Sequence, residues 1–186
     1  HALVITAPHK DADRHTGELA AALFRETGAR AAAWNSGPRR GNAQCKDGLD
    51  LARQKDHPFS AFALAFAQDA PDGQVIQLHG FDRDRRESLS AHDAAMIVSN
   101  GTRTPGTGLL DLADCLSIAF APAPVLVYPG DIAELGALSN AQGQLLQEAG
   151  FAGFVHLEIA ADWRTRLVED AALRGQFSTC LTGGAA

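Results

Sequence analysis

Short apolar runs alternate with helix-patterned stretches along the whole chain, and that alternation restricts the fold more than any other feature. Ala2 to Ala7, Ala29 to Trp34, Gln74 to His79, Ala94 to Ser99, Pro124 to Tyr128 and Gly153 to Ile159 are apolar and too short for helices, so they read as strands. Helical spacing starts at Gly17 and stops at Gly28, then returns over Pro58 to Ala70, Leu109 to Phe120, Ala141 to Ala149 and Trp163 to Leu181. Such alternation predicts an α/β fold whose mostly parallel sheet is covered on both faces. Ser36 to Asp56 has no periodicity and reads as a long loop carrying Arg39, Arg40 and Arg53, a length more often functional than idle. A second charged loop spans Asp82 to Glu87.

With 186 residues, the chain is expected to form one domain over 1–186, burying about 70% of the surface its unfolded form exposes. A formal net charge of −6 without a basic run argues against nucleic acid and anionic membranes as partners. No apolar run reaches the roughly 18 residues that membrane insertion requires. Cys45, Cys115 and Cys180 allow one disulfide and contain no CxxC pair. An exported or periplasmic setting is favoured over the cytoplasm.

The chemistry gathers where strands end. Pro8 stops the first strand, because proline has no N–H for a ladder, and His9 follows it. His79 and Glu158 also close strands. In an open α/β sheet such ends share one edge, where ligands bind. Asp11, Asp13, His15 and Glu18 crowd the turn after His9. Imidazole nitrogen and carboxylate oxygen together suit zinc. His15 and Glu18 form an HxxE pair at one-turn spacing, whereas Asp13 lies within the turn that folds back over the sheet edge. Asp13 is the preferred partner of His9, with His15 or Glu18 as alternatives. Asp13 also reads as a cap, and Glu18 as a first-turn acid favoured by the helix dipole. Glu158 shares a strand face with His156 and Phe154, and burying it without a partner is costly. It is either paired with a neighbour such as Arg164 or a general base with a tuned pKa. His156 reads as a packed residue beside it.

Pro8-His9 with its acidic Thr-Gly turn, Gln77-Leu-His79-Gly-Phe81, Asn140-Ala-Gln-Gly143, Phe154-Val-His-Leu-Glu158 and Arg164 together resemble one family. They are similar to the small zinc amidohydrolases of the zinc carboxypeptidase clan, including phage-type poly-γ-glutamate hydrolases and, more distantly, N-formylglutamate amidohydrolases. The resemblance runs nearly end to end. It implies a phosphorylase/hydrolase-like fold, a three-layer αβα sandwich around a mostly parallel mixed sheet. It implies Zn2+ on His9, His79 and an acid after His9, with Glu158 as the base of amide hydrolysis by metal-activated water. Two departures stand out. The carboxypeptidase pattern has its carboxylate three residues after the first histidine, where this chain has Ala12. His15 stands where the γ-glutamate hydrolases tend to carry glycine.

The expected substrate is a small molecule or peptide-like amide: γ-glutamyl, peptidoglycan-type or N-acyl amino acid. Arg39, Arg40, Asn140 and Arg164 are its expected binding residues, Arg103 joins Glu158 as an expected catalytic residue, and a nearby arginine, not singled out, is expected to stabilise the oxyanion. The acidic net charge does not favour a polyanion. A non-catalytic metal- or ligand-binding module of the same fold is the alternative. Gly101-Thr-Arg-Thr-Pro-Gly-Thr-Gly108 precedes a helix but lacks the lysine of a P-loop, and reads as a glycine-rich turn.

Overall fold

The computed structural model describes residues 2–43, 46 and 48–183. Cys45 lies outside the described residues. Strands β1 (Leu3–Ala7), β2 (Ala31–Trp34), β3 (Gln74–Phe81), β4 (Met96–Ser99), β5 (Val125–Val127) and β6 (Phe154–Ala160) form one sheet in the order β2-β1-β3-β6-β4-β5. The neighbouring pairs are parallel except β4 with β6, which run antiparallel. The architecture is α/β, a mostly parallel mixed sheet flanked by helices in a three-layer sandwich.

The two faces of the sheet differ. Helices α1 (Thr16–Thr27), α4 (Thr107–Ala119), α6 (Ala161–Glu169) and α7 (Ala171–Leu181) cover one face. Leu19, Leu23, Leu112, Leu116, Leu167 and Phe177 pack there with Ile5, Ile76, Leu78, Val155, Leu157 and Ile159. Helices α2 (Pro58–Asp69) and α5 (Ala141–Glu148) cover the other face with a smaller cluster of Ala63, Phe66 and Leu146 on Val4, Val75 and Phe154. Strand residues alternate between faces. On this second face, therefore, β3 reads Val75, Gln77, His79 and β6 reads Phe154, His156, Glu158. Register sets Gln77 opposite His156 and His79 opposite Glu158. Each strand begins apolar beneath the helices and turns polar towards its carboxyl end. That change from packing to chemistry along two adjacent strands places the site.

Several boundaries differ from expectation. β3 continues through Gly80 to Phe81, because both residues pair with β6. Gly80 also admits Arg164: a Cβ there would lie 2.2 Å from the guanidinium. The expected helix from Trp163 to Leu181 is two helices, since the Asp170 side chain accepts from the N–H groups of Ala172 and Leu173 and caps a new one. A short helix, α3 (Leu89–Asp93), follows the charged loop and was not anticipated. The glycine-rich segment after β4 is a turn in which Asn100 Oδ1 accepts from Thr102 N–H. Cys115 on α4 is joined to Cys180 on α7 by a disulfide.

Candidate metal centre

After Pro8 the backbone makes one helical turn, with Asp13 N–H donating to the His9 carbonyl at 2.7 Å. Residues four apart on such a turn share a face, so His9 and Asp13 point together. His79 reaches the same place from β3. The Nδ1 atoms of His9 and His79 lie 3.4 and 3.3 Å from Asp13 Oδ2, and all three residues are buried. Among the described residues, His9 Nδ1 and Asp13 Oδ2 find no hydrogen-bond partner. Each ring's other nitrogen is held: His9 Nε2 by the Asp50 carboxylate at 2.7 Å, and His79 Nε2 by Gln77 Oε1 at 2.8 Å. Asp50 is in turn bonded by Arg39 Nε at 3.1 Å.

Buried atoms of this kind, left without hydrogen bonds and facing one another, are expensive unless something bridges them. Two imidazole nitrogens and one carboxylate oxygen, with outer nitrogens tied to a carboxylate and an amide oxygen, make up a divalent-cation donor set and its supporting shell. The residues present fit such an ion. A second trio, His79, His156 and Glu158, likewise offers three ligand atoms within 4.8 Å of one another.

The electrostatics divide the two carboxyl groups. Burial raises the Asp13 pKa, but the His79 and His9 rings outweigh it and hold the group well below the usual carboxylate range. Burial pushes Glu158 up to about 8, with the Asp13 charge adding to the rise and Arg86, Arg164 and Arg39 opposing it. His79 and His156 are both pushed down, chiefly by burial, so both rings are neutral near pH 7. One carboxyl group is thus fixed as an anion while its neighbour exchanges a proton near neutral pH. That division suits a ligand beside a general base.

A cavity of about 1040 Å³ opens over these groups. His9, Asp13, His79, His156 and Glu158 form its floor, and Arg39, Arg40, Arg53, Arg85, Arg86 and Arg164 line it. Arg164 does not pair with Glu158. Its Nε donates to the Arg14 carbonyl at 2.8 Å and its Nη1 to the Ile159 carbonyl, which fixes the guanidinium at the cavity wall. Arg85 and Arg86 come from the charged loop, where sequence reasoning assigned no role. The loop is clasped by Glu134, which accepts from Ser88 N–H, Ser88 Oγ and Arg86. Runs of arginine in a loop look like solvated surface until the fold shows which way the loop turns.

Other expected site residues are placed differently. Arg103 does not line the cavity. It is exposed in the turn after β4, and β4 runs antiparallel to β6, so that turn leaves the sheet away from the edge bearing His79 and Glu158. Asn140 touches the cavity, but its side chain is buried and engaged: Oδ1 caps α5 at Gly143 N–H, and Nδ2 donates to Gln77 Oε1. Both ends of its amide are thus engaged within the protein. Glu18 is exposed on α1, and neither it nor His15 lines the cavity. His15 adopts φ 74°, a left-handed conformation that favours glycine.

No protein-family model matches the chain, and no curated protein matches it. Among solved structures, one from Shewanella denitrificans OS217, described as a "putative metallopeptidase", is similar at 18% identity and a TM-score of 0.38. It covers 97% of this chain and 74% of its own, and a likeness this slight carries no argument.

Proposed function

We propose that the chain is a metal-dependent hydrolase of an amide or peptide bond, with zinc as its ion. The observation that carries this reading is the meeting of His9 Nδ1, Asp13 Oδ2 and His79 Nδ1 beside a Glu158 that exchanges its proton near neutral pH. The short motifs around His9, His79 and Glu158 that resemble those of zinc amidohydrolases point the same way. His9, Asp13 and His79 would hold a zinc ion, which would supply Lewis-acid polarisation of a carbonyl and a lowered pKa of water.

This chain's residues do the rest. Glu158 takes a proton from the attacking water and returns it to the departing nitrogen. His156, neutral and tilted 37° to the His79 ring at a centroid distance of 4.5 Å, packs beside the base. Arg164, anchored through two backbone carbonyls, presents a fixed positive charge where negative charge develops on the carbonyl oxygen. The six arginines around the cavity outnumber its acids Asp11, Asp13, Asp82 and Glu158, in a chain with 16 basic and 22 acidic residues. That local reversal of sign favours a substrate bearing carboxylates, such as a γ-glutamyl or N-acyl amino acid amide, even though the chain's net charge is negative. The Cys115–Cys180 disulfide supports an oxidising compartment.

The test is metal analysis of purified protein, followed by hydrolysis assays on γ-glutamyl, peptidoglycan and N-acyl substrates. One zinc per chain and turnover lost to a chelator and restored by zinc are expected. Stoichiometric metal without turnover on any of these would favour the binding module.

A further inference from the structure

We propose that Gln142, Gln77 and Asn140 form a polarity relay that fixes the tautomer of His79, so that its Nδ1 presents a lone pair towards Asp13. The inference rests on the metal-site reading, and it concerns residues buried behind the site.

The direction of each bond follows from groups whose role is fixed. The Leu51 carbonyl only accepts, so the Gln142 atom 2.8 Å from it is Nε2. The same nitrogen donates at 2.7 Å to Ser60 Oγ, whose own hydrogen goes to the Gln54 carbonyl. Gln142 Oε1 therefore faces Gln77 and accepts from its Nε2 at 3.1 Å. A second anchor stands on the other side. Gly143 N–H only donates, so the Asn140 atom 2.9 Å from it is Oδ1, and Asn140 Nδ2 points at Gln77 Oε1. Two independent backbone groups thus demand the same orientation of Gln77. Its oxygen, already accepting from Asn140, lies 2.8 Å from His79 Nε2. An amide oxygen cannot donate, so His79 carries its hydrogen on Nε2, and Nδ1 is bare.

The consequence is specific. Without the relay, neutral His79 would favour the other tautomer, because a hydrogen on Nδ1 could bond Asp13 Oδ2, 3.3 Å away. That bond would turn a ligand nitrogen into a donor and close the centre on itself. The relay forbids it. Asp50 acts on His9 in the same sense, since a carboxylate oxygen 2.7 Å from Nε2 only accepts. Gln77, Asn140 and Gln142 are positioning residues. They spend buried polar groups from β3, from the α5 cap, from α5 itself and, through Leu51 and Ser60, from the loop and α2, on the orientation of one hydrogen.

Nitrogen-15 histidine spectra of chelator-treated full-length protein, together with zinc titration against a competing chelator, test this. Wild type is expected to show His79 as the Nε2–H tautomer. Gln77→Leu removes the acceptor and should move His79 towards Nδ1–H while weakening zinc binding about 10–100-fold. Gln77→Glu keeps an acceptor facing His79 Nε2 and should retain the wild-type tautomer, although its second oxygen meets the Gln142 Oε1 acceptor in place of a donor. A wild-type Nδ1–H signal, or a Gln77→Leu protein unchanged in both readouts, overturns the relay. Should Gln77→Leu fail to fold, the wild-type spectrum still decides. A wild type that shows Nε2–H but binds no zinc would overturn the metal reading and leave the relay standing.

Discussion

At the residue scale the two carboxyl groups of the centre answer different experiments. Asp13→Ala should lose stoichiometric metal, whereas Glu18→Ala, on an exposed helix face, should keep it and lose only about 0.3–1 kcal/mol of helix-terminus stabilisation. Metal content by atomic emission checks both. If the ion belongs instead to His79, His156 and Glu158, then Asp13→Ala keeps it and Glu158→Gln loses it. On the favoured reading Glu158→Gln binds metal normally, and turnover falls about 10²–10⁴-fold. The same substitution has a stability signature in metal-free protein. Glu158 titrates near 8 when folded and near 4.5 in its ordinary state. Between those values the unfolded chain has lost a proton that the folded one retains, so stability falls as pH rises and the loss is complete above about 8. Thermal melts should therefore show Glu158→Gln stabilised by on the order of 4 kcal/mol at pH 8 and unchanged near pH 4. An unfolded Glu158→Gln protein would mean that its carboxyl holds the strand in place.

Elements make the site by what they leave uncovered. α2 and α5 pack on Val4, Val75 and Phe154, the amino-terminal part of one sheet face, and the rest of that face is given to Gln77, His79, His156 and Glu158. On the opposite face the disulfide ties α4 to α7 across a sequence separation of 65 residues. Closing a loop of that length removes about 4 kcal/mol of chain entropy from the unfolded state. A Cys115→Ser, Cys180→Ser protein should lose about 2–4 kcal/mol in urea melts while its metal content stays at the wild-type level. A drop in metal content would show that the two faces are coupled through the sheet.

Over the whole molecule, charge is sorted rather than spread. The chain is acidic, yet six arginines from three separate segments converge on one cavity. Such a funnel speeds encounter with anionic substrate, and salt screens it over a Debye length of about 8 Å at physiological ionic strength. For a substrate rich in carboxylates, kcat/KM should fall several-fold as salt rises to about 0.5 M, whereas a neutral analogue should be nearly insensitive. Equal salt response of the two substrates would separate the arginines from substrate binding. No described helix is long and apolar enough to cross a membrane.

The sequence by itself determined the elements and the kind of site. Periodicity is a local property, so the strands, most helices and the polar ends of β1, β3 and β6 were readable one segment at a time. The pairing of His9 with His79 was readable because parallel strands share an edge. Tertiary structure alone decided what depends on direction and neighbours. The reversal of β4 carries Arg103 away from the centre, and no residue near Arg103 records that reversal. The charged loop turns inward because Glu134, 46 residues from Ser88, clasps it. Asn140, which reads as a substrate contact in the sequence, is engaged by a helix cap and by Gln77, 63 residues away. The bare Nδ1 of His79 follows from hydrogen bonds ending at Leu51 and Gly143, far apart in the chain and brought together by the packing of α5 against β3 and the loop. A sequence lists donors and acceptors, and only their meeting in space fixes which atom holds the hydrogen.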